Sequence, residues 1–222
     1  MSEDVRMDEI DVAFRDFVND PRFPCLAGKG VVRASGHSSG VYGALGSPRS
    51  TRELAVDLER FVRSAAVDEA RLHAFVAVFP ASSYEDEFGF ERDLWAQLQR
   101  LSDRDVSAPW DATVSDDASD EGFGFSFAGR ALFVVGLHPG SSRLARQFRW
   151  PALVFNPHRQ FERLRETGRF ERLRAAVRER EIALQGSLNP NLADFGVQSE
   201  ARQYSGRATE ADWKCPFHRR AD

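Results

Sequence analysis

The stretch FGFSFAGRALFVVGLH, residues 123–138, decides the fold. Phe123, Phe125 and Phe127 alternate with glycine and serine, the period of a half-buried strand. Ala-Gly-Arg at 128–130 breaks that run, and a second apolar run follows and ends at His138. Two such runs about a short glycine-bearing turn predict a β-hairpin. Working outward, PALVFNP (151–157) and LHAFVAVFP (72–80) are short apolar runs bounded by proline, and both predict buried strands.

The remaining periodic segments are helical. MDEIDVAFRDFVND places Ile10, Phe14, Phe17 and Val18 on one face. PRFPCLAGKG then reads as a loop opened by two prolines. SPRSTRELAVDLERFVRSAAV offers Ser50 or Thr51 as N-cap and turns Leu54, Leu58, Phe61 and Val62 inward. SYEDEFGFERDLWAQLQRLSDRD carries Phe88, Leu94, Trp95, Leu98 and Leu101 as its apolar face. HRQFERLRETGRFERLRAAVRERE predicts one or two arginine-rich helices with a break near Gly168. The expected fold is therefore α+β, one domain over residues 1–222: a small, largely antiparallel sheet flanked by helices. It closes with a long polar C-terminal loop, NPNLADFGVQSEARQYSG (189–206), a length uncommon for a loop without a task.

At 222 residues the chain is long enough to bury a real core, and a net charge of −4 does not select nucleic acid as a partner. The start is polar and acidic and no apolar run approaches a membrane span, so the expectation is a cytoplasmic protein with reduced thiols. Charge is uneven along the chain. Eleven arginines against four glutamates lie between Arg143 and Arg180, whereas Asp111–Glu121 holds five carboxylates and no base. Arginine-rich helices of this kind can pair across a homodimer.

Several groups can carry chemistry. LHPGSSRLARQF runs from a strand through a Gly/Ser turn into a short helix, with Arg143 and Arg146 three apart, which suits an anion as readily as a capped, solvated turn. His138 can ligate a metal, act as a base or satisfy its own loop, and His158 stands where a helix begins. Cys25 follows a proline and Cys215 precedes one between Trp213 and Phe217; each reads as an inert buried thiol or as a heme thiolate. Eighteen phenylalanines suit a large flat apolar cofactor. In the closing loop, Asp194, Glu200, Arg202, Gln203 and Tyr204 can grip a polar substrate or brace the loop itself. A phosphate- or nucleotide-binding protein, a heme sensor or carrier without turnover, and an interaction module using the arginine face are the competing classes.

RFPCLAG, FERDLWAQLQRLSDRD, FSFAGRALFVVGLHPGSSRLARQF, LVFNPHRQFERLRETGRF, SLNPNLADFGVQSEARQYSG and WKCPF occur in this order, and together they resemble the YqcI/YcgG family over nearly the whole chain. The resemblance implies a b-type heme protein that uses dioxygen and an external electron donor. Its reaction is hydroxylation of a nitrogen of a guanidine such as L-arginine or a cyclic relative, in natural-product biosynthesis. It also implies Cys25, in the firmly matching FPC string, as the iron ligand, with His138 and Cys215 as rivals and His138 as a catalytic candidate. Arg143 and Arg146 would then hold the propionates, with His158 beside the cofactor. Glu200 and Asp194 would clamp the guanidinium, and Arg202, Gln203 and Tyr204 would hold the rest of the substrate.

Overall fold

The computed structural model of the chain describes residues 6–67, 71–193 and 196–220. Its centre is a five-stranded mixed sheet in the order β1-β2-β5-β4-β3. The strands are β1 (His37–Val41), β2 (Ala74–Val78), β3 (Phe125–Phe127), β4 (Arg130–Leu137) and β5 (Ala152–Pro157). β1 and β2 are parallel and the other pairings antiparallel, so the largely antiparallel α+β expectation holds. The predicted hairpin is β3–β4. Ala128 and Gly129 both take positive φ, 52° and 73°, as a two-residue turn matched to strand twist requires. Asp105 steadies that turn by accepting from the Ala128 amide at 2.6 Å.

Seven α-helices are described: α1 (Met7–Asn19), α2 (Leu26–Arg33), α3 (Pro48–Val67), α4 (Glu87–Ser102), α5 (Arg159–Glu166), α6 (Phe170–Gln185) and α7 (Ala201–Tyr204). None is long and apolar enough to cross a membrane. Strand alternation sorts the core into two faces. Phe75, Ala77, Leu132, Val134, Leu153 and Phe155 face α3 and α4, where they pack with Leu54, Leu58, Leu94, Trp95 and Leu98. Ala74, Val76, Val78, Leu137, Ala152 and Val154 face α1 and α2, against Ile10, Phe14, Val18, Val31 and Val32. Each such side chain, fully buried, contributes roughly 1.5–3 kcal/mol.

Three local expectations are corrected, and one strand was not foreseen. The stretch read as a loop after Pro24 forms α2, whose two glycines are carried by burial of Val31 and Val32. β1, of sequence HSSGV, has no apolar run and is held in place by its pairing with β2. The cap of α3 is Ser47, whose Oγ accepts from Ser50 N at 3.2 Å, while Ser50 and Thr51 lie buried in the first turn. Phe88 points outward from α4, with the Arg207 guanidinium 4.4 Å from its ring centre.

α4 crosses β4 closely because Gly136 has no side chain. A Cβ there would lie 2.7 Å from Phe90 Cε1 and 2.9 Å from Leu94 Cδ1. Gly136→Ala should therefore cost about 1–3 kcal/mol by overpacking, read as a lower urea midpoint. An unchanged midpoint would show that α4 can slide away.

β3 is short and pairs only with Arg130, Ala131 and Leu132 of β4. From Phe133 to Leu137 the outer edge of β4 has no strand beside it among the described residues, and α7 packs there instead. The Tyr204 hydroxyl accepts from Phe125 N at 3.1 Å, and Arg146 donates to Gly136 O at 3.2 Å and to Tyr204 O at 3.0 Å. The closing loop thus covers a sheet edge, one of the recognised ways of protecting unpaired backbone.

Candidate functional site

On the α1/α2 side of the sheet lies a cavity with two adjoining lobes of about 270 Å³ and about 220 Å³. Both lobes are bordered by Cys25, Phe133, Phe161, Val177, Leu192 and Gln203. α6 forms part of the wall; it buries none of its own residues fully, because the side of it that faces the sheet faces this space. The lining is mostly aromatic and aliphatic, with a few polar groups, as small-molecule sites generally are.

Cys25 is the N-cap of α2, and its Sγ accepts from Gly28 N at 3.3 Å. Burial pushes its thiol up, while the Gly28 and Ala27 amides and the Arg146 charge pull it back. A negative sulfur at this position would be favoured by the helix N-terminus and by Arg146. Arg146 also borders the larger lobe, and its guanidinium donates to the carbonyls of Gly136, Gln203 and Tyr204. Burial lowers its pKa to about 10, against the opposing charge of Glu181. Arg143 is engaged differently, by Glu181 at 2.6 Å and by Ser187. The two arginines belong to a 3-10 turn (Leu144–Arg146) and its preceding residue, so the short helix expected there is a single tight turn.

Glu200, His158 and Tyr204 form a buried set at the smaller lobe. Glu200 accepts from the Tyr204 hydroxyl through one oxygen and meets His158 Nε2 at 3.0 Å through the other. Burial works against a charged His158, but its bond to Glu200 and the charges of Glu200 and Glu162 outweigh it and raise the pKa above the ordinary 6.5. The stability from this contact is fully present below about 6.5 and is lost as pH rises through the raised folded value. His158→Gln should flatten that alkaline decline in urea midpoint; an unchanged slope would place the titration elsewhere.

Of the residues singled out in the sequence, Cys25, Arg143, Arg146, His158, Glu200 and Gln203 come together around the cavity. His138 does not. It shares the parity of Leu132 and Val134, stacks on Phe90 at 4.3 Å and lies on the α4 side of the sheet. Cys215 packs on that same side, and burial pushes its thiol up to about 12. His138 and Cys215 thus lie across the five-stranded sheet from Cys25 and cannot share an iron with it; Cys215 borders a separate cavity beside Trp213 and Arg202. Arg202 lies away from this cavity. Its guanidinium donates to Thr209, Glu210, Ala211 and Trp213 and fastens the chain after α7. Tyr204 is fully buried at the edge of β4, so it reaches the cavity through Glu200 and Phe133. Asp194 lies outside the described residues. The lining residues Phe133 and Phe161 carry no sequence signal beyond being aromatic; the odd-numbered parity of Phe133, Val135 and Leu137 was the available clue.

Residues 14–218 match the YqcI/YcgG family. The chain is 26% identical over 207 residues to a protein of Bacillus subtilis (strain 168) named "Uncharacterized protein YqcI", covering 88% of this chain and 80% of that one. No solved structure matches it.

Proposed function

The chain belongs to the YqcI/YcgG family, and on that premise we propose that it is a heme-dependent, dioxygen-using N-hydroxylase of a small guanidine such as L-arginine or a relative. The observation that carries this reading is the apolar two-lobed cavity with Cys25 in the wall of both lobes. The residues fit a heme b. Phe14, Phe17, Phe23 and Phe133 offer flat apolar walls, Cys25 offers a sulfur at a helix N-terminus, and Arg143 and Arg146 offer cations for propionates. When bound, heme supplies dioxygen activation, which a thiolate ligand assists by donating electron density.

The chain's own residues would do the rest. The Gly28 amide and Arg146 would favour a negative Cys25 sulfur on ligation, against the burial that keeps the free side chain a thiol. Phe133, Phe161 and Leu192 would help to keep water from the reacting atoms. Glu200 is the carboxylate that would meet the guanidinium, since each of its oxygens keeps a second lone pair beyond Tyr204 and His158. Electrons come from an outside donor.

The test is to add hemin to the full chain and follow the Soret band, then to measure oxygen uptake with a reductant, with and without L-arginine, and assay for N-hydroxyguanidine. The expected result is near-stoichiometric heme and guanidine-dependent uptake. No Soret band would end this reading; heme without guanidine-dependent uptake would replace it with a carrier.

A further inference from the structure

The buried tyrosine has neighbours that its structural role does not require. Tyr204 stacks on Trp95, with centroids 5.6 Å apart and planes 23° apart, and Trp95 lies 6.2 Å from Trp213, which is half-buried at the surface. On its other side, Tyr204 meets Phe133 edge-on at 5.6 Å, and Phe133 borders both lobes of the cavity. An unbroken file of aromatic rings therefore runs from the cavity, past the edge of β4 that α7 covers, to the opposite side of the sheet.

We propose that Tyr204, Trp95 and Trp213 form a one-electron relay that connects the cavity to the protein surface. The purpose rests on the reading of the cavity as a seat of oxidative chemistry. The chemistry of each position follows from its partners. Phenol oxidation is favourable only when the proton can leave, and the Tyr204 hydroxyl donates to Glu200. The oxidant that heme and dioxygen would supply in the cavity would take one electron from Tyr204, and the phenolic proton would move to Glu200. Trp95 then gives one electron to the tyrosyl, and the proton returns from Glu200 to the phenol. The Trp95 indole is buried with no acceptor for its N–H among the described residues. With no protein acceptor for that proton among the described residues, the oxidised indole would keep it as a cation, a stronger oxidant than a neutral radical, and would take an electron from Trp213. A thiol or ascorbate in solvent reduces Trp213. The sum is one electron from solvent reductant to cavity oxidant, with no net proton change in the chain.

The same path can be run from the surface end. Azide radicals, generated by pulse radiolysis, oxidise tryptophans of the full-length protein. The expected result is a concentration-independent phase in which tryptophanyl absorption gives way to tyrosyl absorption. Tyr204→Phe, which keeps the ring and its stacking, should remove that phase, and Trp95→Phe should remove it while leaving Tyr204 in place. Glu200→Gln should slow it and change its solvent deuterium effect. An unchanged phase in Tyr204→Phe would assign the sink to Tyr42 or Tyr84 and overturn the proposal, as would the absence of any such phase in the unsubstituted protein. The transfer needs no heme, so a missing Soret band in the same sample would count against the hydroxylase reading alone.

Discussion

Cys25→Ser should fold normally and lose the spectroscopic mark of a sulfur-ligated heme. Serine at an N-cap accepts from the same amide that Cys25 Sγ accepts from, that of Gly28, so α2 keeps its first turn. Cys25→Ala loses that bond and should cost about 0.5–2 kcal/mol as a removed cap. Comparing the two separates the structural role of the side chain from its chemical one. With hemin added, the ferrous carbon monoxide complex of the unsubstituted protein should absorb far to the red, as thiolate ligation requires, and both variants should lack that band. Circular dichroism should be unchanged in the serine variant. Retention of the red-shifted band in Cys25→Ser would remove Cys25 from the iron. Because Cys215 lies across the sheet, Cys215→Ser should leave the band where it is.

The largest loss of stability is expected from Arg207→Ala. Arg207 and Glu91 are both buried, and the guanidinium meets the carboxylate at 2.8 Å. Ser205 donates to the other Glu91 oxygen at 3.0 Å. Removing the arginine leaves a carboxylate enclosed with one hydroxyl for company, and breaking a buried pair from one side costs about 3–5 kcal/mol. Its other neighbours add to the loss, since Phe88 covers the guanidinium and Glu210 pairs with it at the rim. The double variant Glu91→Gln with Arg207→Met should recover much of that loss, because no charge is then stranded. Equal urea midpoints for single and double variants would show that packing, not charge, is what Arg207 contributes.

How much of this was readable beforehand depends on which interactions decide each element. The β3–β4 hairpin, β2, β5 and the helices α1, α3, α4, α5 and α6 announce themselves through local period and turn residues. β1 does not, because a strand of His, Ser, Ser, Gly and Val owes its form to β2, which lies 37 positions along the chain in the register His37 to Ala74. α2 hides behind two glycines for the same reason. Phe88 has the spacing of the buried face of α4 yet is 59% exposed; Phe90 and Glu91 are the buried residues of that turn, and Arg207 from the last segment of the chain lies over the Phe88 ring. At the site, residue types were legible and their grouping was not. Nothing local says that His138 and Cys25 lie on opposite sides of a sheet. Nor does anything local say that Glu200 spends its oxygens on Tyr204 and His158.

The covering of the β4 edge by α7 also sets an order of events during synthesis. Every strand has left the ribosome once Pro157 has, but the residues that close the outer edge, Tyr204 through Arg207, come dozens of positions later. Until then the nascent sheet carries an open row of amides and carbonyls between Phe133 and Leu137, beside a cluster of phenylalanines that has not received Tyr204 or Phe217. Such a chain is adhesive. Slowing translation across codons 158–200 should therefore lower its soluble yield more than slowing it anywhere upstream.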